Sequence, residues 1–260
     1  MLFNFSLVPL PDIRPWGEPG DHHLSWFGMT DAQYWIEAGD NVLLQYSDEV
    51  RLKPGATKYC DYQVARLHED LMAMVPFVLE PVPASLIPYV AGDRRVDWWE
   101  RRARWLKKCF DQLGDDRCHE VADASIGWLG SRTLDSLHLR PSANIRIWSD
   151  ETTVYLDWDN RDQLIEGVHA WSALHGRYRI SRDQFVIEVR SFHERLMAQM
   201  TERVEQVVAG ALPAQIRVDL HGLRREQAKR CSLVDSAFEA LTPPSDWRRV
   251  QDALRQIEQG

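Results

Sequence analysis

The chain has 260 residues, 44% of them apolar and 27% charged, with only 13 prolines and 14 glycines, the composition of a chain that buries a large core and does not stay disordered. Its formal net charge of −8 argues against indiscriminate binding to nucleic acid or an anionic membrane, and favours solubility or a cationic partner. Cys60, Cys109, Cys118 and Cys231 show neither C-x-x-C spacing nor paired histidines nearby, which excludes the familiar zinc and redox motifs and reads as scattered, reduced thiols.

The opening "MLFNFSLVPLPDIRPW" has no basic n-region, and Asn4, Pro9 and Pro11 interrupt its apolar residues, so the expected compartment is the cytoplasm, with no membrane partner. Phe3, Phe5 and Leu7 fit one edge strand. "AQYWIEAGDNVLLQYSDE" predicts a strand, a turn at Gly39-Asp40-Asn41 and a second strand. A helix over 62–78 follows, with Val64, Leu67, Leu71, Met74 and Val78 as its apolar stripe and Pro81 and Pro83 beyond its end. Asp93 opens a basic helix to residue 113. Val96, Trp99, Ala103, Leu106, Phe110 and Leu113 recur there at 3, 4, 3, 4, 3 spacing, a predicted core stripe, while Asp97 with Arg101 and Glu100 with Arg104 form i to i+4 pairs. A third helix is expected over 116–137, then the hairpin "NIRIWSDETTVYLDWDN", a strand through "YRISRDQFVIEV" and a long helix over 191–208. Two more helices close the chain, the last with Ser245 as N-cap and Trp247, Val250, Leu254 and Ile257 on one face.

The expected fold class is therefore α+β, with antiparallel sheets of β-hairpins against several long helices. "VARLHEDLMAM" from Val64 and "VRSFHERLMAQ" from Val189 share Val, His, Glu, Leu, Met and Ala. The echo leaves two arrangements open: related hairpin-plus-helix halves, 1–113 and 114–260, or one continuous domain.

On an extended "TTVYLDWDN", Tyr155, Asp157 and Asp159 share one side and Val154, Leu156 and Trp158 the other. Two adjacent carboxylates suit a hard cation. No histidine or Gly-rich loop stands at a fixed distance to complete a known site, so the first reading is a solvated or protein-contacting face, with no metal and no cofactor. His68-Glu69 and His193-Glu194 resemble acid–base pairs, but neighbours on a helix diverge by about 100°, and both histidines read as structural. His22 and His23 occupy a Gly- and Pro-flanked loop. "VDLHGLRREQA" resembles the opening of Smr-type endonuclease domains over one tetrapeptide; a helix start is the fuller account of Asp219 and Gly222. Trp98, Arg102 and Trp105 align on the basic helix as if to stack single-stranded nucleic acid, but Asp97 and Glu100 on that face favour a solvated helix, and nucleic acid is not an expected partner.

"WFGMTDAQYWIEAGDNVLLQYS", "WLGSRTLDSLHL", "IRIWSDETTVYLDWDN" and "FVIEVRSFHERLMAQM" together resemble a family of bacterial proteins that carry a single domain of unknown function. The resemblance implies a bacterial cytosolic protein and brings no activity with it. By analogy of type, such aromatic, acidic hairpins occur in immunity partners of intercellular toxins. The expected function is thus protein binding: an immunity or inhibitor protein whose acidic aromatic face, Trp26, Trp35, Tyr155, Asp157 and Asp159, caps a cationic toxin or effector, with no catalytic residue assigned. The alternatives are a metal-dependent hydrolase or nuclease using Asp157 and Asp159, and a scaffold subunit of a larger assembly.

Overall fold

In the computed structural model, the structure describes residues 1–91, 94–113, 115–239 and 245–259. Strand β1 (Phe3–Leu7) runs antiparallel along β2 (Asp31–Ala38), with Phe3 opposite Ile36 and Leu7 opposite Ala32. Gly39, at φ +66, and Asp40 turn the chain into β3 (Asn41–Leu43). The positive φ explains the glycine, since a Cβ strains that conformation. Ser47 caps the one-turn α1 (Asp48–Arg51), and β4 (Cys60–Gln63) pairs with the first half of β2 before leading directly into α2 (Val64–Val78). Further along, β5 (Ile145–Ser149), β6 (Thr153–Asp159) and β9 (His175–Ser181) form a second antiparallel sheet in that order, with the small hairpin β7 (Leu164–Ile165) and β8 (Val168–His169) inside the β6–β9 connection. β9 in turn leads directly into α6 (Arg182–Val208). Both units therefore follow one plan, an antiparallel sheet, of four strands in the first and three in the second, whose last strand runs straight into a helix.

The units interlock. α2 packs on β2 and β5, and α6 packs on β1, β6 and β9, so each helix touches strands of both sheets. Phe3, Tyr34, Ile36, Val64, Leu71, Ile145, Leu156, Phe185 and Phe192 are buried in one common core, which continues across position 113. A second core forms where α3 (Ile87–Ala91), α4 (Arg94–Leu113), α5 (Asp115–Gly130) and α9 (Trp247–Gln259) cover the other side of the second sheet, with Val90, Trp98, Trp128, Trp148, Leu254 and Ile257 among its residues. All five residues of β5 are buried as a result. Arg132, fully buried, fastens this helical layer: its guanidinium donates to the Trp128 carbonyl at 2.9 Å and to Glu80 at 2.8 Å, and lies 5.0 Å from the Trp247 ring centre. Two remaining helices, α7 (Leu220–Cys231) and α8 (Leu233–Glu239), lie against α6 and α2 respectively.

The α+β class holds, and several element boundaries move. α6 begins at Arg182, nine residues before the expected start, because Ser181 accepts a hydrogen bond from the Gln184 N–H at 3.2 Å and Phe185, Val189, Phe192 and Leu196 then recur at helical spacing on the buried side. α5 stops at Gly130 rather than 137. Ser245 does not cap α9: its N–H and hydroxyl both donate to Glu80, and Asp246 accepts from the Arg249 N–H at 3.0 Å instead. On α4 the buried residues include Trp98 and Cys109, whereas Trp99 and Phe110 of the expected core stripe are 38% and 37% exposed. Asp93 as helix start, the Asp97–Arg101 pair and the side chains of Val96 and Leu113 lie outside the described residues. The reduced-thiol expectation fails for two cysteines: the α4–α5 hairpin brings Cys109 and Cys118 to a Cα separation of 5.8 Å and they form a disulfide, leaving Cys60 buried and Cys231 exposed as thiols.

Candidate functional site

The five residues expected to share a partner-facing surface do not lie on one. Trp26 is 1% exposed; its indole N–H donates to Gln227 at 2.6 Å, and the Arg230 guanidinium sits 4.1 Å from its ring centre. Trp35 is half-buried on the first sheet, stacked on Tyr59 at 4.1 Å and hydrogen-bonded to Glu37 at 3.0 Å. Tyr155, Asp157 and Asp159 do share one side of β6, as the alternation dictates, but the helical layer covers that side. Tyr155 stacks on Trp148 at 4.3 Å and donates its hydroxyl proton to Asp150 at 2.6 Å. Asp157 is 7% exposed and accepts from Arg177, directly opposite on β9, at 2.5 and 3.0 Å, and from the Trp148 indole at 2.7 Å. Asp159 binds the Arg161 guanidinium at 2.8 and 2.9 Å. Guanidinium and indole protons thus occupy the oxygens that a cation would need. Among the described residues, no group of three or more His, Cys, Asp or Glu side chains gathers in a way that could hold a metal.

A concavity lies elsewhere. A cleft of about 1000 Å³ opens between the segment 23–26, Glu69 of α2 and the face of α7 that carries Gly222, Glu226 and Lys229. Local sequence builds each wall. His23 pairs with Trp16 on one side and with Arg217 on the other, which fixes the segment beside the approach to α7. Asp219 caps α7 by accepting from the Gly222 N–H at 2.9 Å, so the D-L-H-G tetrapeptide is a helix start, and its His221 is exposed. Leu24, Trp26 and Leu223 are buried and make an apolar floor. Above it the carboxylates are engaged: Glu69 and Glu226 both bind Arg230, at 2.5 and 2.9 Å, and Arg217 pairs with Asp21. Arg225 and Lys229, four residues apart and exposed, form no ion pair within the described residues. An apolar floor with a few placed charges at the rim is the anatomy of a recognition site. Sequence reasoning singled out only His23, Trp26, Glu69, Asp219 and Gly222 of this lining, and for other reasons; the same-face spacing of Arg225 and Lys229 was the available signal.

Behind the cleft, His68 and His193 form a buried pair, and the His193 Nε2 lies 3.2 Å from the carbonyl oxygen of Cys231 at the end of α7. Burial and the neighbouring His193 and Arg230 push the His68 imidazole down to about 3, and burial lowers His193. Both rings therefore stay neutral at physiological pH, as expected of structural histidines.

Compared with known protein families, residues 2–253 match the Family of unknown function (DUF5984). No curated protein and no solved structure is similar to the chain. Among the described residues, no helix is long and apolar enough to cross a membrane.

Proposed function

The chain belongs to this family of unknown function, and we propose that it is a protein-binding protein whose recognition surface is the cleft beside α7, shaped for an acidic segment of its partner. The observation that carries the reading is the buried apolar floor of Leu24, Trp26 and Leu223 beneath two exposed cations, Arg225 and Lys229, that form no ion pair among the described residues. On a chain of net charge −8, such an exposed cation pair focuses the local field for a negatively charged group, while the floor supplies area for aliphatic or aromatic anchors. Neutralising a bacterial toxin or effector, as an immunity or inhibitor protein does, is one form this binding takes. The charge of the rim then asks for an acidic patch on that partner, the reverse of the cationic one expected from Asp157 and Asp159. A bacterial cytoplasmic setting is part of the same proposal; the Cys109–Cys118 bond sits poorly with a reducing compartment, and a thiol count on protein taken from cells tests it.

Selection from a displayed peptide library on the full chain tests the reading. Enrichment of peptides that combine Asp or Glu with large apolar residues supports it, provided that the Arg225→Glu, Lys229→Glu double variant fails to select them. Enrichment of basic peptides, or the same peptides on both proteins, refutes it.

A further inference from the structure

The stripe of α4 that solvent reaches has a repeat of its own. Trp99, Ala103, Leu106 and Phe110 follow 4, 3, 4 spacing; Trp99, Ala103 and Phe110 are exposed and Leu106 is half-buried. In sequence the spacing continues to Val96 and Leu113, a seven-residue period that is the seam of a two-stranded coiled coil. The buried side of α4, with Trp98 and Cys109, holds the helix against its own chain; on the stripe itself Phe110 meets the His119 ring edge-on at 5.2 Å and Trp99 meets Trp98 at 5.0 Å, and both still keep more than a third of their surface in solvent.

We propose that α4 pairs antiparallel with α4 of a second copy of this chain across the Trp99, Ala103, Leu106 and Phe110 stripe.

Two features of the stripe select this occupant. Its layers are self-complementary on reversal, since Trp99 of one copy meets Phe110 of the other and Ala103 meets Leu106, so each small residue faces a larger one and a two-fold axis crosses the middle of the helix. The flanking charges also match only in this direction. Glu100 and Lys107, both exposed, follow the seam residues Trp99 and Leu106, and reversal sets Glu100 of each copy beside Lys107 of the other, twice per dimer. A parallel pair would instead bring Lys107 next to Arg102 of the second copy, like beside like. The basic residues Arg101, Arg104 and Lys108 fall outside the seam and its flanks, which keeps a helix this cationic compatible with itself. Such a helix of 20 residues spans about 30 Å, a small interface, so the dimer is weak and concentration-dependent.

Sedimentation equilibrium of the full chain over a concentration series reads the result. The expected outcome is a mass rising from 30.2 kDa toward twice that value at tens of micromolar. Ala103→Glu, at an exposed position where folding is unaffected, returns the monomer. Glu100→Lys and Lys107→Glu each weaken association about tenfold or more, and the two together restore it, because the swapped charges again face each other. A chain that stays at 30.2 kDa at every concentration, association indifferent to Ala103→Glu, or single charge changes that the double swap does not rescue, overturns the proposal. Arg225 and Lys229 play no part in this contact, so its failure leaves the cleft reading untouched, and the reverse also holds.

Discussion

His68 on α2 and His193 on α6, equivalent positions of the two echoed segments, are hydrogen-bonded ring to ring, Nε2 to Nδ1 at 2.9 Å. Their tautomers follow from the partners. The His193 Nε2 faces a carbonyl oxygen and must donate, so its Nδ1 accepts from the Nε2–H of His68. The remaining His68 Nδ1 lone pair is buried with no hydrogen-bond partner. The contact thus joins the two units by a pair in which protonating either ring places a charge in a buried site, and protonating both sets two donors against each other.

Acid should therefore loosen the molecule at this point. His68 sits near 3 in the folded chain against about 6.5 unfolded, so its contribution is complete above 6.5 and is lost as pH falls toward 3, by up to about 1.4 kcal/mol per pH unit. Asp70 acts in the opposite sense. Burial raises it to about 6, with the Asp135 N–H bond at 2.5 Å working against the rise, so it favours folding most below its unfolded value and loses that effect as pH rises through 6. Urea midpoints between pH 7 and pH 4.5 are expected to fall for the wild type, to fall less for His68→Gln and to fall more steeply for Asp70→Asn. A wild-type midpoint that rises on acidification contradicts the pairing.

The carboxylates of β6 should behave as structural groups of unequal weight. Removing the Asp157 charge leaves the buried Trp148 indole without its acceptor and leaves the exposed Arg177 with only the Ala91 carbonyl, a loss of about 2 kcal/mol once the exposure of Arg177 is discounted. Asp159→Asn acts on a pair whose Arg161 side chain is 59% exposed, where a much smaller change than for Asp157 is expected. Chemical denaturation of the two variants ranks them. Equal effects would mean that the helical layer does not cover this side of the sheet.

Gln227 supports the floor of the cleft. It accepts from the buried Trp26 indole and donates to the Met197 carbonyl at 3.2 Å and the Thr201 hydroxyl at 2.9 Å. Gln227→Ala strands these groups, and a loss of about 2 kcal/mol in stability is expected, together with weaker peptide binding. Gln227→Glu keeps the acceptor for Trp26 but loses the amide donor, and should fall between the two proteins in the same assay.

A thiol titration distinguishes the paired cysteines from the single ones. Two of four are expected to react, Cys231 in the native chain and Cys60 only after unfolding, since its thiol is buried and donates to the Tyr34 carbonyl at 3.1 Å. Reduction should lower the stability of the α4–α5 hairpin by about 3 kcal/mol, the chain-entropy value for so short a loop. Four reactive thiols in the unfolded, unreduced protein would show that the hairpin does not close.

What the sequence makes legible is mostly local. The β2–β3 turn, the α2 stripe and the side-sharing of Tyr155, Asp157 and Asp159 follow from periods of 2 and 3.6. Whether that side is wet does not follow, because it depends on helices drawn from residues 87–130 and 247–259. The start of α6 was available in Ser181 and Gln184, but the apolar alternation of "FVIEV" competes with it. The spacing in α4 was correct as a pattern; which side meets the body was decided by Trp98 and the Cys109 bond to α5. The cleft combines residues 23–26, 69 and 217–233, and the engagement of Glu69 and Glu226 by Arg230 rather than by Arg225 or Lys229 is a property of the assembled surface alone.

The central claim is that recognition takes place at the cleft and not at the β6 carboxylates, and one titration separates them. A selected acidic peptide is measured by calorimetry against the wild type, the Arg225→Glu, Lys229→Glu variant and Asp159→Asn. The account predicts that the charge reversal weakens binding at least about tenfold, or 1.4 kcal/mol, while Asp159→Asn leaves it unchanged. Unchanged binding to the charge-reversed cleft, with loss in Asp159→Asn, would contradict it.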